Sequence, residues 1–448
     1  MELVVASSSI DGGIGCWDLH TGAEQLRYKG CASPPHGLAC VGHRFLASSQ
    51  LREPSASSGS ILFWAWPKPQ VEVKSFPAEP IKPLAANSEG TYIAGGGSSG
   101  DIFLWGVATG RLLKKWHAHY RSLTCLVFSE DESLLISGSE DGCVRVWSLF
   151  MIFDDYGREQ AGHIYVHSFT GHTLRVTDIV TGYGGGNAIV VSASEDRTCK
   201  VWSLSKGILL RNVVFPSVID AVALDPGESV FYAGGRDGKI YIVALNAEST
   251  PSKIYGMHII GSLSDHSKAV TCLAYSKEGN LLLSGSEDGM IRIWDPKSHN
   301  IIRMLKHAKG PVNNIVLVRQ SPYLNPQTMF NAQASSRRRG SLLSPPLNKY
   351  VDSPDEDAGN TAIINLQSTN FVVPLDAQYL TCQMIKDQSK ELQQQGSSAA
   401  AEMEIERLKL EYKRSMQMAQ QWKKMYDNLH EFCVNELLEV DQVGSSSG

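Results

Sequence analysis

Three short segments of this 448-residue chain carry a serine, an aspartate and a tryptophan in the same order. They are Ser137-Gly-Ser-Glu-Asp-Gly-Cys-Val-Arg-Val-Trp147, Ser192-Ala-Ser-Glu-Asp-Arg-Thr-Cys-Lys-Val-Trp202 and Ser284-Gly-Ser-Glu-Asp-Gly-Met-Ile-Arg-Ile-Trp294. A histidine lies upstream of each, at His119, His172 and His266. Histidine, serine and aspartate together are the parts of a hydrolase, in which the imidazole takes the hydroxyl proton and the carboxylate orients the imidazole. Two features argue against that chemistry. The set recurs with a tryptophan each time, and no Gly-x-Ser-x-Gly turn presents the serine. The glycine runs beginning at Gly95 and Gly184 lack the Lys-Ser/Thr of a phosphate-binding loop. The nine cysteines include no Cys-x-x-Cys pair, so neither a zinc ribbon nor a redox pair is expected. Neither an enzyme nor a cofactor or metal site is expected.

The elements that must hold these residues are readable. In Val144-Arg-Val-Trp147 apolar and polar residues alternate, as a strand with one buried face requires. Glu140-Asp-Gly142 is a tight turn whose glycine can take a positive φ. Leu134-Leu-Ile136 and Leu123–Phe128 are two further strands. A looser copy of the unit ends at Val243, without the tryptophan, and three more end at Trp17, Trp64 and Trp105. Seven units of about 40–45 residues predict an all-β ring of seven four-stranded blades, a propeller, each covering its neighbour's apolar face. The chain begins mid-blade, with residues 2–8 as a second strand. Residues 312–318 read as a spare first strand whose pairing with 2–8 would close the ring and remove an open edge.

These units resemble the WD-repeat family, whose best-formed blades bury a His–Ser/Thr–Asp–Trp hydrogen-bonded tetrad. The resemblance implies three: His119, Ser137, Asp141 and Trp147; His172, Ser192, Asp196 and Trp202; His266, Ser284, Asp288 and Trp294. In each, Asp would accept from the imidazole, which would bond the serine hydroxyl, which would meet the indole N–H. Such a chain satisfies groups that are costly to bury alone. The units ending at Trp64 and Trp105 have Ser58 and Ser99 where the aspartate is expected and the unit ending at Val243 lacks the tryptophan, so those blades should be less rigid or be held by neighbour packing instead.

The composition, 42% hydrophobic and 19% charged, fits a folded chain. A net charge of −5 argues against a protein that grips naked nucleic acid through its overall field. The first residues lack a signal-peptide pattern, and no apolar run reaches the ~18 residues of a membrane helix. A nuclear or cytosolic setting follows by default, with the cysteines as small buried hydrophobes. Domain boundaries are expected at 1–319 for the propeller, 320–383 for a partly disordered linker and 384–440 for a helical coiled-coil tail. Within the linker, Arg337-Arg-Arg339 reads as a solvated basic stretch, with nuclear import or phosphorylation as the alternative. In the tail, Ile405, Leu408, Tyr412, Ser415, Ala419, Trp422, Tyr426, Leu429 and Cys433 follow a heptad seam on a helix roughly 60 Å long, suited to a coiled coil with another copy, a dimer first, or with a partner; the plain alternative is a helix folded along its own domain. Long loops at 151–168 and 246–262 are natural places for partner contacts.

A closer resemblance is carried by residues 13–19, 107–116, 194–204, 215–219 and 406–415. On these the chain is similar to the WD-repeat subunits of the Rix-type complex of large ribosomal subunit assembly. That resemblance implies a non-catalytic nuclear scaffold acting on pre-60S particles and in pre-rRNA processing. It implies association with a helical-repeat scaffold subunit and a midasin-type AAA ATPase, dimerisation through the C-terminal helix and, for the plant member, a role in meristems and root initiation. The competing reading is a substrate receptor of a cullin-type ubiquitin ligase. Receptors of that class often carry Trp-Asp-x-Arg, whereas here the two sites read Trp17-Asp-Leu-His20 and Trp294-Asp-Pro-Lys297.

Overall fold

Val144 and Val146 are fully buried while Arg145 between them is not, so one repeat unit already shows how alternation becomes a blade. The structure is a computed structural model that describes residues 2–10, 12–42, 44–51, 59–66, 68–153, 165–245, 258–276, 280–307, 310–319 and 345–350. Among these residues the chain forms seven four-stranded antiparallel sheets. We number the blades 1 (38–75), 2 (81–117), 3 (123–169), 4 (176–214), 5 (219–264) and 6 (270–306), each a simple meander. Blade 7 is assembled from both ends: the strand Asn314–Arg319 pairs antiparallel with Glu2–Ser7, from Glu2 opposite Arg319 to Ser7 opposite Asn314. Ile14–Asp18 and Glu24–Tyr28 complete it.

The seven sheets share seven apolar clusters, each made by residues of two neighbouring sheets. Two of them flank blade 7. Val4, Ala6 and Trp17 pack with Leu283, Ile293 and Val312 on the blade 6 side. Leu3, Val5, Tyr28 and Val318 pack with Leu46 and Trp64 on the blade 1 side. The first strands of successive blades touch one another and so line the central axis. In blades 3 to 6 these strands carry a bulge near their start, at Leu123/Cys125, Val176/Asp178, Ile219/Ala221 and Val270/Cys272. A bulge re-aims one side chain. Thr177 uses it to donate its hydroxyl to the Ile219 carbonyl of the next blade at 2.7 Å, and Thr271 does the same toward the Val312 carbonyl.

Several sequence expectations shift. The closing strand begins at Asn314 rather than 312, because Val312 and Asn313 donate their N–H groups to the Ser286 and Ser7 carbonyls before the ladder starts. At the two ends of the expected loop 151–168, Leu149–Phe153 is a short α-helix, and Tyr165–Phe169 is the fourth strand of blade 3. Likewise Ile259–Ser264, within the expected loop 246–262, is the fourth strand of blade 5. Residues 345–348, placed by composition in the linker, pack on blades 1 and 2. Residues 320–344 and 351–383 of that linker, and the residues of the expected C-terminal helix with its seam from Ile405 to Cys433, lie outside the described residues.

Candidate functional site

In blades 3, 4 and 6 the fourth strand of the preceding blade leads into a histidine that points back at the turn between the second and third strands. That turn is built by its own residues. In blade 3 the Ser139 hydroxyl oxygen accepts from Asp141 N at 3.2 Å and Asp141 Oδ1 accepts from Cys143 N at 2.9 Å. Gly142 then takes a φ of 80°, a conformation that costs a residue with a Cβ. Fixed this way, Asp141 Oδ2 receives His119 Nδ1 at 3.1 Å, and His119 Nε2 lies 2.8 Å from Ser137 Oγ. Trp147 Nε1 donates to the same hydroxyl at 2.9 Å. The same chain joins Asp196, His172, Ser192 and Trp202 at 3.0, 2.8 and 2.9 Å. It joins Asp288, His266, Ser284 and Trp294 at 3.0, 2.7 and 2.8 Å. Because the indole can only donate and the carboxylate only accept, the protons run one way: indole to hydroxyl, hydroxyl to Nε2, Nδ1–H to carboxylate.

Distances alone would suit a hydrolytic triad. Burial does not: Ser137, Ser192 and Ser284 have no accessible surface, and each hydroxyl is engaged by an indole and an imidazole. A nucleophile must reach its substrate, and these three are walled in on all sides.

Electrostatics follow from the same burial. Burial pushes His119 below the usual imidazole range, against the pull of Asp141, so it is held neutral. His266 is lowered by burial too, with the Arg292 charge adding to the effect. Burial alone would raise the Asp141 and Asp288 carboxyls. Hydrogen bonds from His119 and His266 and from turn N–H groups outweigh it and hold each at about 2. Asp196 is lowered for the same reasons, with Thr198 as an added donor. The sign for stability is then set. As pH falls below about 6.5 the unfolded chain takes up protons that folded His119 and His266 refuse, a loss of up to roughly 1.4 kcal/mol per pH unit for each. Below about 4 the aspartates add a second loss in the same direction, complete as pH passes through their folded values near 2. Urea unfolding between pH 7.5 and 5 is expected to show stability falling with acidification; a flat profile would contradict neutral buried imidazoles.

The other four blades replace the tetrad in different ways, none legible from the repeat alone. In blade 1 the position of the serine is Ser48, which Cys31 Sγ meets at 3.4 Å, and Trp64 Nε1 has no partner among the described residues. In blade 2 Gly95 stands at the serine position, and Glu79 binds the hydroxyls of Ser98 and Ser99 in the turn at 3.2 and 2.7 Å. In blade 5 Phe215 takes the histidine's place and lies 5.4 Å from the Tyr241 ring, while the Tyr241 hydroxyl donates to Asp237 at 2.6 Å. In blade 7 Ala6 holds the serine position, and His307 meets Trp17 edge-on at 6.3 Å.

Two further places gather polar groups. At the axis, His36 precedes blade 1 and its Nε2 lies 3.0 Å from the Thr177 carbonyl of blade 4, on the far side of the ring. Its Nδ1 is 3.7 Å from Asp178, whose carboxylate also accepts from Ile179 N at 2.7 Å and Val222 N at 2.8 Å. Burial raises Asp178 despite these partners. On the face that carries the tetrad turns, Arg236 bridges Asp220 and Glu195 at 2.8 and 2.5 Å, and Arg175 meets Glu195 at 3.1 Å. The residues after the tetrad histidines leave large apolar side chains in solvent there, Tyr120 at 81% and Leu174 at 52% exposed. The described cysteines are reduced, and burial pushes the thiols of Cys16, Cys40 and Cys272 up to about 12, which makes them poor nucleophiles. Among the described residues no group of three or more His, Cys, Asp or Glu is arranged to hold a metal.

Seven four-stranded antiparallel sheets, three of them holding an Asp-turn tetrad, define a WD-repeat propeller. The family model described as WD domain, G-beta repeat matches residues 110–148, 164–203 and 257–295, the three blades that carry the tetrads. The chain is 58% identical to Protein ROOT INITIATION DEFECTIVE 3 of Arabidopsis thaliana over 453 residues, covering 100% of both. It is 35% identical to WD repeat-containing protein 18 of Homo sapiens over 369 residues, 78% of each chain. It is 26% identical to Pre-rRNA-processing protein crb3/ipi3 of Schizosaccharomyces pombe over 348 residues, 70% of this chain and 77% of the relative. The chain belongs to the family of WD-repeat proteins that includes Root Initiation Defective 3 and WD repeat-containing protein 18.

Proposed function

We propose that this chain is a non-catalytic scaffold subunit in large ribosomal subunit assembly, acting in the nucleus in pre-rRNA processing. The observation that carries the reading is identity along the whole chain to Root Initiation Defective 3, together with fungal relatives named as pre-rRNA-processing proteins. The site geometry supports it: the residues that invite a catalytic reading are sealed inside blades. The three tetrads act as structural latches, and pairing of Asn314–Arg319 with Glu2–Ser7 locks the ring. Partners are the other Rix-type subunits, including a helical-repeat scaffold, and through them a midasin-type ATPase on the pre-60S particle. The helical tail joins two copies. By kinship with the plant relative, the chain serves meristem upkeep and root initiation.

The tetrad face is the surface we assign to partner contact, because it exposes Leu174 next to Arg175 of the ion-paired array, and Tyr120 under the Arg145 guanidinium. Exposed aromatic and aliphatic side chains on a rigid frame are what interfaces bury first. Affinity purification of the full chain from nuclear extract is expected to recover pre-60S assembly factors with precursor rRNA. The double variant Tyr120→Glu, Leu174→Glu should fold normally and lose at least tenfold of that recovery. Cullin adaptors in place of assembly factors would overturn the assignment.

A further inference from the structure

Blade 2 departs from the repeat in a way that leaves a polar group exposed to a ligand. Trp147, Trp202 and Trp294 spend their indole N–H on a serine inside their own blade. Trp105 cannot, because its blade has Gly95 at the serine position. Its Nε1 donates instead to the carbonyl of Asn348, at 2.9 Å, from a segment 243 residues away.

That segment is held in one way throughout. Leu347 N donates to Ser75 Oγ of blade 1 at 2.9 Å, and Asn348 N donates to the Gly110 carbonyl of blade 2 at 2.8 Å. All three hydrogen bonds use the segment's main chain. Its one deeply buried side chain is Leu347, 4% exposed, in the cluster that joins Val73 of blade 1 to Phe103, Trp105 and Leu112 of blade 2. A Cβ on Gly110 would stand 2.4 Å from the Pro346 carbonyl, so the groove's rim admits the segment only because that residue is bare. The two prolines ahead of Leu347 restrict the segment to extended conformations before it docks, which lowers the ordering cost.

We propose that the groove between blades 1 and 2 is a peptide-recognition site for an extended Pro-Pro-Leu-Asn segment, filled by the chain's own residues 345–348. Main-chain hydrogen bonds supply affinity and one leucine pocket supplies selectivity, the division of labour seen when strands are recognised at an edge. The site therefore recognises a sequence pattern, and the chain's own copy occupies it at the high effective concentration of a tether.

The test uses the full chain and a fluorescent peptide of residues 343–350, followed by anisotropy. In the wild type the groove is filled, so the peptide binds weakly. Leu347→Asp in the chain ejects its own segment and should bind the peptide at least tenfold more tightly. A peptide carrying the same Leu→Asp change should bind neither. Tryptic cleavage after Lys349 should be at least tenfold faster in the variant. Leu347→Ser is carried alongside, and decides the matter if the aspartate variant fails to melt cooperatively. Equal peptide binding by both chains, or none by either together with unchanged cleavage, would overturn the proposal.

Discussion

A chain ending at residue 307 should show no cooperative unfolding transition, whereas one ending at 319 should keep it. The two differ by the strand Asn314–Arg319 and its approach, which supply one edge of blade 7. Val312, Ile315 and Val318 are each at most 9% exposed in the full chain. Burying three such side chains contributes roughly 1.5–3 kcal/mol apiece, so their removal costs about 5–9 kcal/mol, an upper value because unfolded chains bury some surface already. Domains as a rule are stable by only about 5–15 kcal/mol. The shorter chain also exposes the whole polar edge of Glu2–Ser7, a template for pairing with other molecules. Thr271 loses the Val312 carbonyl and Asn314 no longer donates to Ser7, Ser33 and Pro34, so the damage reaches blades 6 and 1 as well. Calorimetry of the two truncated chains separates the outcomes. Equal, sharp melting of both would refute a ring locked by its ends.

The second large effect is expected at Trp147. Trp147→Ala should lower the melting temperature of this propeller of about 320 residues by about 4–8 °C, from a loss of roughly 3–5 kcal/mol for a large core aromatic. The indole is 2% exposed, edge-on to Trp116 at 5.8 Å and to Tyr165 at 6.1 Å. Removing it opens a cavity between blades 2 and 3, since Trp116 belongs to the former. It also takes away the donor at the head of the hydrogen-bonded chain, leaving the Ser137 hydroxyl oxygen short of one partner. Trp147→Phe refills most of the volume without the N–H, and should cost about 1–3 kcal/mol, the penalty of an unsatisfied buried group and a small void. A phenylalanine variant as damaged as the alanine one would place the whole effect in the hydrogen-bonded chain and none in packing.

What could be read from the sequence was whatever the repeat writes within one unit. Ser137, Asp141 and Trp147 stand within a dozen residues of one another, and the turn that positions the aspartate is made of the same short stretch. The substitutes in other blades were illegible because each is a different solution to a shared geometric problem. Phe215 fills with a ring what His119 fills with hydrogen bonds, and Cys31 reaches Ser48 with a thiol. Glu79 reads as a loop charge until its bonds to Ser98 and Ser99 are seen. Docking of residues 345–348 was hidden for another reason. A Pro-Pro-Leu-Asn stretch has linker composition whether or not a groove accepts it, and the indole that donates to it, Trp105, is far away in the chain. The sequence does record the vacancy that made room, in the glycine at 95 where blades 1, 3, 4 and 6 have serine.

His36 bears on what such a wheel can hold. From the entry to blade 1 it reaches the opposite rim of the hub at Thr177 and Asp178, while its own carbonyl accepts from Leu84 N of blade 2. A spoke therefore spans the bore. A strand of RNA or peptide would have to displace that contact to run along the axis, which leaves the flat ends and the circumference as the surfaces open to a partner while it holds. Large particles can then be engaged and released without passing an end through the molecule.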